Sequence, residues 1–374
     1  MVDRVIFWGT YDLSKPRTRI LRDGLRDIGV DVVEIHADVW PKHADKSQIS
    51  KLTMIFALLR ALANYPLLVW RYLLTPKHDV VIVPYLGQFD VLFLWLFARL
   101  RGRPIVWDMF LSLYDTIVND RQIAHKWSPP SMFLWMVEWL SCRAANIVLM
   151  DTQAHAAHIS RLFSVPPDRT SAVPVGVELD AFARQPAPEP HGGRARILFY
   201  GQLIPLHGVD TILKAALSER GQKSDWRIIG KGQHQQLIAD ALAAQHAPHV
   251  QWDAWVQYED LKSAIVDADI CLGIFGSSEK AASVVPNKVY QCLSVGRSVI
   301  TRASRAMTEV FPDLNPGLRL VPHSDADELL DAIDALKADG YPIIPTQNLD
   351  LARPKDIAQM LCMSVLNPLT IDTK

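Results

Sequence analysis

Short, β-branched apolar runs recur along this chain at a spacing that lets one helix fit between each pair, and this recurrence constrains its fold more than any other feature. Residues 3–9 (DRVIFWG) read as a buried strand entering a turn, Arg17–Ile28 carries a helical pattern, and Val30–His36 is a second strand. The opening is therefore β-α-β. Further strands are expected at 79–84 (DVVIVP), 104–108 (PIVWD) and 146–152 (NIVLMDT), with helices near 89–101 and over Gln153–Phe163. Strands this uniformly apolar have no solvent face, so they belong in a parallel sheet covered by helices on both sides.

The series then stops and restarts. Residues 183–196 (ARQPAPEPHGGRAR) hold three prolines and two glycines in fourteen positions, a composition suited to an exposed linker. Beyond it come strands at 195–201, 226–230, 250–255, 270–275, 298–301 and 318–322, with helices over Val209–Glu219 and Gln233–Ala244. A length of 374 residues also exceeds what one core organises. The expected division is an N-terminal domain 1–182, the linker 183–196, a C-terminal domain 197–345, and a helical tail 346–374 that packs back on the N-terminal domain. Each domain is expected to be doubly wound α/β.

A net charge of −1 offers no electrostatic footprint for nucleic acid. Cys142, Cys271, Cys292 and Cys362 are scattered without zinc-site or disulfide-framework spacing, which fits a reducing cytoplasm. The start MVDRVIFWGTYD lacks the basic, apolar and small-residue succession of a signal peptide. Eight of the eleven tryptophans precede residue 140, and two greasy stretches lie between residues 51 and 100. Arg60 and Arg71 interrupt the first, whose helix Pro66 is expected to break, and Asp90 and Arg99 bracket the second, so neither reaches the ~20 apolar residues of a membrane span.

Ligands of open parallel sheets sit at the carboxyl ends of strands, where glycine turns admit phosphates to backbone N–H groups and helix N-termini. The second half has three such turns: 199–210 (FYGQLIPLHGVD), 228–233 (IIGKGQ) and 272–301 (LGIFGSSEKAASVVPNKVYQCLSVGRSVIT). A glycine after a strand is by itself more often only a tight turn. Lys288 adds a positive charge at the start of a helix expected over 288–295, a pairing suited to a leaving phosphate, against the plainer reading of a solvated helix cap. Lys280 is a second candidate in the same loop. The backbone of Phe275 and Gly276 is expected to pass close to a bound sugar.

The order of these turns resembles the donor-binding domain of glycosyltransferase family 4. The resemblance rests on Gly201 to Gly208, on Gly230 to Gly232, and on Pro286, Lys288, Gln291, Gly296, Val299 and Ile300, preceded by VPVGVELDAF at 173–182. It is strong from residue 173 to about 325 and thin before that. The resemblance implies a GT-B fold, two Rossmann-like domains facing each other across a cleft. It further implies a retaining hexosyltransferase that uses a nucleoside-diphosphate sugar as co-substrate, with no resident cofactor and no metal. The implied donor residues are Gly201, Gln202, His207, Gly208, Gly230, Lys231, Gly232, Phe275, Gly276, Pro286, Asn287 and Gln291, with Lys288 and Lys280 acting on the departing diphosphate.

This sequence departs from the family pattern at four positions. Ser283 and Gln291 stand where an acidic pair is usual, and Gln202 and His207 stand where cations are usual. A glutamine still bonds a ribose diol. Three explanations remain open for the missing cations: protonation of His207 by the diphosphate, reliance on Lys280 and Lys288 alone, or decay of the site.

The acceptor belongs to the first domain. Asp108 ends a strand and is expected to face the cleft, where a carboxylate orients or deprotonates an acceptor hydroxyl, or else caps the next turn. Tyr11, Arg17 and Asp115 are further acceptor candidates, although Arg17 and Arg19 on an opening helix are more simply solvated. Asp120 and Arg121 read equally well as surface charges. His155 and His158 lack a third ligand, so no metal is expected. Residues 51–78 mix aromatic and aliphatic side chains with Lys51, Arg60, Arg71 and Lys77, a composition suited to a membrane interface as well as to a buried helix pair. The expected acceptor is accordingly a lipid-linked glycan of polysaccharide assembly, reached from the inner face of the cell membrane. A soluble acceptor and a catalytically silent scaffold are the alternatives.

Overall fold

The computed structural model describes residues 2–40, 51–187, 193–312, 316–345 and 353–371. One compact unit spans Met1–Val118, Ile123–Gly176 and Arg353–Lys374, and the other spans Asn119–Gln122 and Val177–Ala352.

The first unit holds a six-stranded parallel sheet of β1 (Arg4–Gly9), β2 (Asp31–His36), β3 (Val80–Val83), β4 (Ile105–Asp108), β5 (Ile147–Met150) and β6 (Thr170–Ala172), in the order β2-β1-β3-β4-β5-β6. Alternate side chains serve opposite faces. Val5 and Phe7 of β1 join a cluster with Ile20, Leu21 and Leu25 of the helix Pro16–Asp27, while Ile6 and Trp8 join a cluster with Tyr65, Leu68 and Tyr72 of the helix Lys51–Leu74. Burying each such side chain contributes about 1.5–3 kcal/mol, which is why the runs carry no polar alternation.

The helices at the end of the chain belong to this unit. Ile357, Ala358 and Leu361 of Pro354–Leu361 enter the cluster containing Leu21 and Leu25. A Cβ at Gly24 would stand 2.2 Å from the carbonyl oxygen of Pro354, so the glycine allows that close approach.

Pro66 does not break its helix, contrary to the sequence expectation: Lys51–Leu74 runs through it. An internal proline costs about 3 kcal/mol, and here Tyr65, Leu68 and Tyr72 are buried on either side of it, which offsets that cost. The opposite face of the helix is apolar yet open, with Phe56 69%, Trp70 58% and Leu74 64% exposed. Among the described residues, no helix is long and apolar enough to cross a membrane.

The second unit repeats the architecture with β7 (Ala195–Tyr200), β8 (Ser224–Ile229), β9 (Val250–Asp253), β10 (Ile270–Leu272), β11 (Ser298–Arg302) and β12 (Leu318–Val321). All pairings are parallel, in the order β12-β11-β10-β7-β8-β9. Its core joins Ile197 and Phe199 to Ile212, Ala215 and Ala216 of the helix Val209–Leu217 and to Leu329, Ile333 and Leu336 of Ala326–Ala338. The change of unit comes at Gly176–Val177, ahead of the proline- and glycine-rich stretch. Part of that stretch is packed within the second unit: the Gln185 N–H donates to the Val295 carbonyl at 2.9 Å, and Arg297 Nη1 donates to the Pro186 carbonyl at 2.8 Å. Residues 188–192 of the expected linker and 346–352 and 372–374 of the expected tail lie outside the described residues.

Candidate active site

From β7 the second sheet grows one way through β8 and β9, and from β10 the other way through β11 and β12. Such a reversal opens a crevice at the carboxyl ends of the two central strands. The loop after β7 runs from Gly201 to Gly208 through a 3₁₀ turn at Pro205–His207. The segment after β10 lies against that turn. The Phe275 N–H donates to the His207 carbonyl and the Gly276 N–H to the Leu206 carbonyl, both at 3.1 Å. Gly208 adopts φ +61°, and a Cβ there would stand 2.5 Å from the Phe275 carbonyl carbon. The turn after β8 closes the other side, because a Cβ on Gly230 would lie 1.9 Å from the Gly201 carbonyl oxygen and one on Gly232 would lie 2.7 Å from that of Leu203. The Leu203 N–H donates to the Lys231 carbonyl at 3.0 Å. The three glycine turns noted in the sequence are thus packed together at one end of the sheet.

Lys288 reaches into this crevice from the helix Asn287–Val295 and is 6% exposed. Its Nζ lies 4.0 Å from the Phe199 ring centroid and 5.7 Å from that of Tyr200, with a long contact of 3.5 Å to the Gly273 carbonyl oxygen. A Cβ on Gly201 would stand 2.9 Å from that nitrogen. No carboxylate pairs with Lys288 among the described residues. Burial pushes its pKa down from 10.5 to about 7. Pro286, at φ −66°, is the N-cap residue, and no side chain caps the helix that follows. A cation without a counter-ion beside uncapped helix N–H groups is an arrangement that favours an anion.

His207 is 8% exposed and sits edge-on to Phe199, ring centroids 5.5 Å apart. Its Nδ1 hydrogen-bonds the Gln202 carbonyl oxygen, which makes Nδ1 the protonated nitrogen. Burial, and then the charge of Lys288, hold its pKa well below 6.5. Residues Asn119–Gln122 belong to this unit as well, and there Arg121 Nη2 donates to Gln202 Oε1 at 2.8 Å. A guanidinium therefore stands beside the neutral Gln202.

Two positions lack the family's acidic residues, and each has other partners here. Gln291 Oε1 accepts from the Tyr200 hydroxyl at 2.8 Å, and the Ser283 hydroxyl donates to the Glu279 carbonyl at 2.8 Å. Lys280 is 8% exposed on the short helix Glu279–Ser283, whose N-cap Ser278 accepts from the Ala281 N–H. The sequence reading passed over Arg302. It is 6% exposed, and its Nη1 donates to the Gly276 and Ser278 carbonyls, which ties down the loop after β10. A lone arginine ending an apolar strand was the available signal.

The acceptor candidates of the first unit are buried in it. Asp108 is fully buried and accepts from Arg17 Nε at 2.7 Å. Arg17 Nη1 also donates to the Val173 carbonyl and Nη2 to the Met150 carbonyl, both at 3.0 Å. This corrects two expectations: Arg17 is not solvated, and Asp108 is not open to a substrate. A single guanidinium joins the carboxyl ends of β4 and β5 because it has enough donors for one carboxylate and two carbonyls. Burial raises the Asp108 pKa and Arg17 opposes the rise. The Tyr11 hydroxyl donates to Glu34 Oε2 at 3.1 Å. His158 Nε2 lies 3.1 Å from Asp115 Oδ1, and His155 Nδ1 lies 2.6 Å from Asp151 Oδ1. Glu138, another residue the sequence reading passed over, takes the Ser112 hydroxyl at 2.5 Å and the N–H groups of Leu113 at 2.7 Å and Tyr114 at 3.2 Å, so it shapes the loop after Asp108.

Two family models match the chain. Residues 194–339 match "Glycosyl transferases group 1" and residues 5–176 match "Glycosyl transferase 4-like domain". No protein of curated function matches the sequence. Among solved structures, the chain is similar to sucrose-phosphate synthase from Thermosynechococcus elongatus, at 14% identity and TM-score 0.64 over 99% of this chain and 97% of that one. It is also similar to the catalytic domain of starch synthase IV from Arabidopsis thaliana bound to ADP and acarbose, at 10% identity and TM-score 0.65 over 100% and 99%. A lipopolysaccharide outer core galactosyltransferase aligns at 13% identity and TM-score 0.62 over the whole of both chains. These neighbours share the fold of two parallel-sheet Rossmann-like domains.

Proposed function

Because this chain belongs to the group 1 glycosyltransferases of the GT-B fold, we propose that it moves a hexose from a nucleoside-diphosphate sugar to a lipid-linked glycan acceptor, with retention of anomeric configuration. The observation that carries the donor assignment is Lys288, a buried ammonium without a carboxylate partner at the uncapped start of Asn287–Val295. In this reading the diphosphate bridges Lys288 and the first N–H groups of the helix. Breaking the sugar–phosphate bond leaves negative charge on the departing diphosphate, and fixed donors that need no rearrangement stabilise that charge best. Gly201, Gly208, Gly230 and Gly232 keep side chains out of the space, Gln291 and Tyr200 present amide and hydroxyl to the ribose, and Lys280 lends further positive charge. The sugar lies along Phe275–Gly276, in the order that the resemblance implies.

The starch synthase neighbour holds ADP, and another neighbour, from Anabaena, holds UDP-glucose; both support a nucleotide sugar as donor. The retained configuration follows from the family resemblance alone. A lipid-linked acceptor is supported by the open apolar face of Lys51–Leu74, which with Arg60, Arg71 and Lys77 suits a location on the inner face of the cell membrane.

Calorimetry of the purified protein with UDP, GDP and ADP, paired with transfer assays using the matching sugars, tests the reading. Binding of one diphosphate and transfer from its sugar is the expected result. A catalytically silent scaffold has one specific observation in its favour, the hydroxyl of Ser283 bonded to a backbone carbonyl where the family carries an acid. Binding without any transfer or hydrolysis would favour it. Absence of binding across the panel would overturn the donor site.

A further inference from the structure

A cavity of about 380 Å³ lies in the first unit at the amino ends of β4 and β5, the opposite end of the strands from Asp108. Four arginines line it, Arg99, Arg103, Arg143 and Arg169, together with Trp95 and Asn146. No carboxylate lines it. None pairs with these arginines among the described residues. Asp79, on which the charge of Arg103 acts, is already held by the N–H groups of Asp3 and Arg4.

Two of the four are anchored. Arg169 Nη2 donates to the carbonyls of Arg143 at 3.0 Å, Cys142 at 3.4 Å and Ala145, which satisfies the end of the helix Pro129–Ala144. Arg143 Nη1 donates to the Trp139 and Phe163 carbonyls at 3.2 Å, and its guanidinium stacks 3.6 Å from the Trp139 ring centroid. Capping accounts for these two. It does not account for Arg99, whose guanidinium stands 6.0 Å from the ring centroid of Trp95, nor for Arg103, whose guanidinium makes no hydrogen bond among the described residues. Four guanidinium groups around one cavity repel each other, and an anion between them removes that cost while gaining bidentate hydrogen bonds.

We propose that this pocket binds a phosphate group, that of an anionic lipid head. The helices ending at the pocket, Gln88–Leu100 and Pro129–Ala144, expose apolar side chains, with Trp95 41%, Leu100 74% and Phe133 55% exposed. Cations beside an exposed tryptophan and aliphatic side chains match the order of a membrane surface, charge at the heads and apolar groups beneath. A free phosphate or phosphate ester shares the chemistry but leaves this apolar face unexplained. The proposal does not depend on the transfer reaction, since Lys288 lies in the other unit.

The test compares wild type with Arg99→Gln/Arg103→Gln, whose side chains are not buried, in sedimentation with phosphatidylcholine vesicles, with vesicles also containing phosphatidylglycerol, and in calorimetry with inorganic phosphate. Nucleoside diphosphate affinity, measured in parallel, reports the other site separately. The wild type is expected to bind phosphatidylglycerol vesicles more tightly than phosphatidylcholine alone, and the double variant to weaken that binding about 25-fold, about fivefold for each cation lost. Loss of inorganic phosphate binding in the variant, with vesicle binding unchanged, would overturn the lipid source and leave a free phosphate. If the variant matched wild type toward both probes, the pocket would not be an anion site.

Discussion

The guanidinium of Arg17 and the carboxylate of Asp108 form an ion pair of 2.7 Å across 91 residues of sequence, with both side chains sealed from solvent. Breaking one half of a buried pair leaves the other charged and unpaired, at a cost of about 3–5 kcal/mol. Asp108→Ala is expected to lose that much stability in urea unfolding, and Asp108→Asn less, because an amide oxygen still accepts from Arg17. If Asp108→Ala kept its stability but lost transfer, Asp108 would be a catalytic base and not a brace.

Gly201 is constrained in two ways. Its φ is +144°, and a Cβ there would meet Lys288 Nζ at 2.9 Å and His207 Cε1 at 3.1 Å. Gly201→Ala is expected to cost about 1–3 kcal/mol through backbone strain and to weaken diphosphate binding by displacing Lys288. Unfolding and calorimetry on the same preparation check both effects. Unaltered binding would mean that the diphosphate does not approach this turn.

The depressed pKa of Lys288 sets a pH dependence of definite sign. Between about pH 7 and 10.5 the unfolded chain keeps a proton at this site that the folded chain has lost. Stability attributable to Lys288 therefore rises with pH through that window, and Lys288→Met is expected to flatten that contribution. Diphosphate binding runs the other way. The anion favours the charged ammonium, so affinity is expected to fall as pH rises above about 7. A titration of diphosphate affinity from pH 6.5 to 9 checks this, and an affinity independent of pH would separate the anion from Lys288.

Most strands are legible because they are apolar runs bounded by turn residues, and the glycine turns because their spacing follows the strands; β6 (Thr170–Ala172, TSA) is too short and polar to stand out. What the sequence concealed was pairing at long range. Arg17 looks like any cation on an opening helix until Asp108, Met150 and Val173 are brought to it. The helix Pro129–Ala144 went unread because its aromatic and aliphatic side chains point to solvent as well as to the core, which blurs the helical period. Pro66 signals a break that Lys51–Leu74 does not have, because packing against β1 is invisible in a local pattern. Lys288 was legible as a cation at a helix start, but its burial, which lowers its pKa, follows only from the fold.

The turnover of Lys288→Ala with the nucleotide sugar that the diphosphate panel identifies tests the account most directly. Loss of one fixed stabiliser of the leaving group is expected to lower kcat about tenfold to a thousandfold, with a matching loss of diphosphate affinity. Full activity with unchanged diphosphate affinity would contradict the placement of the donor on the helix Asn287–Val295.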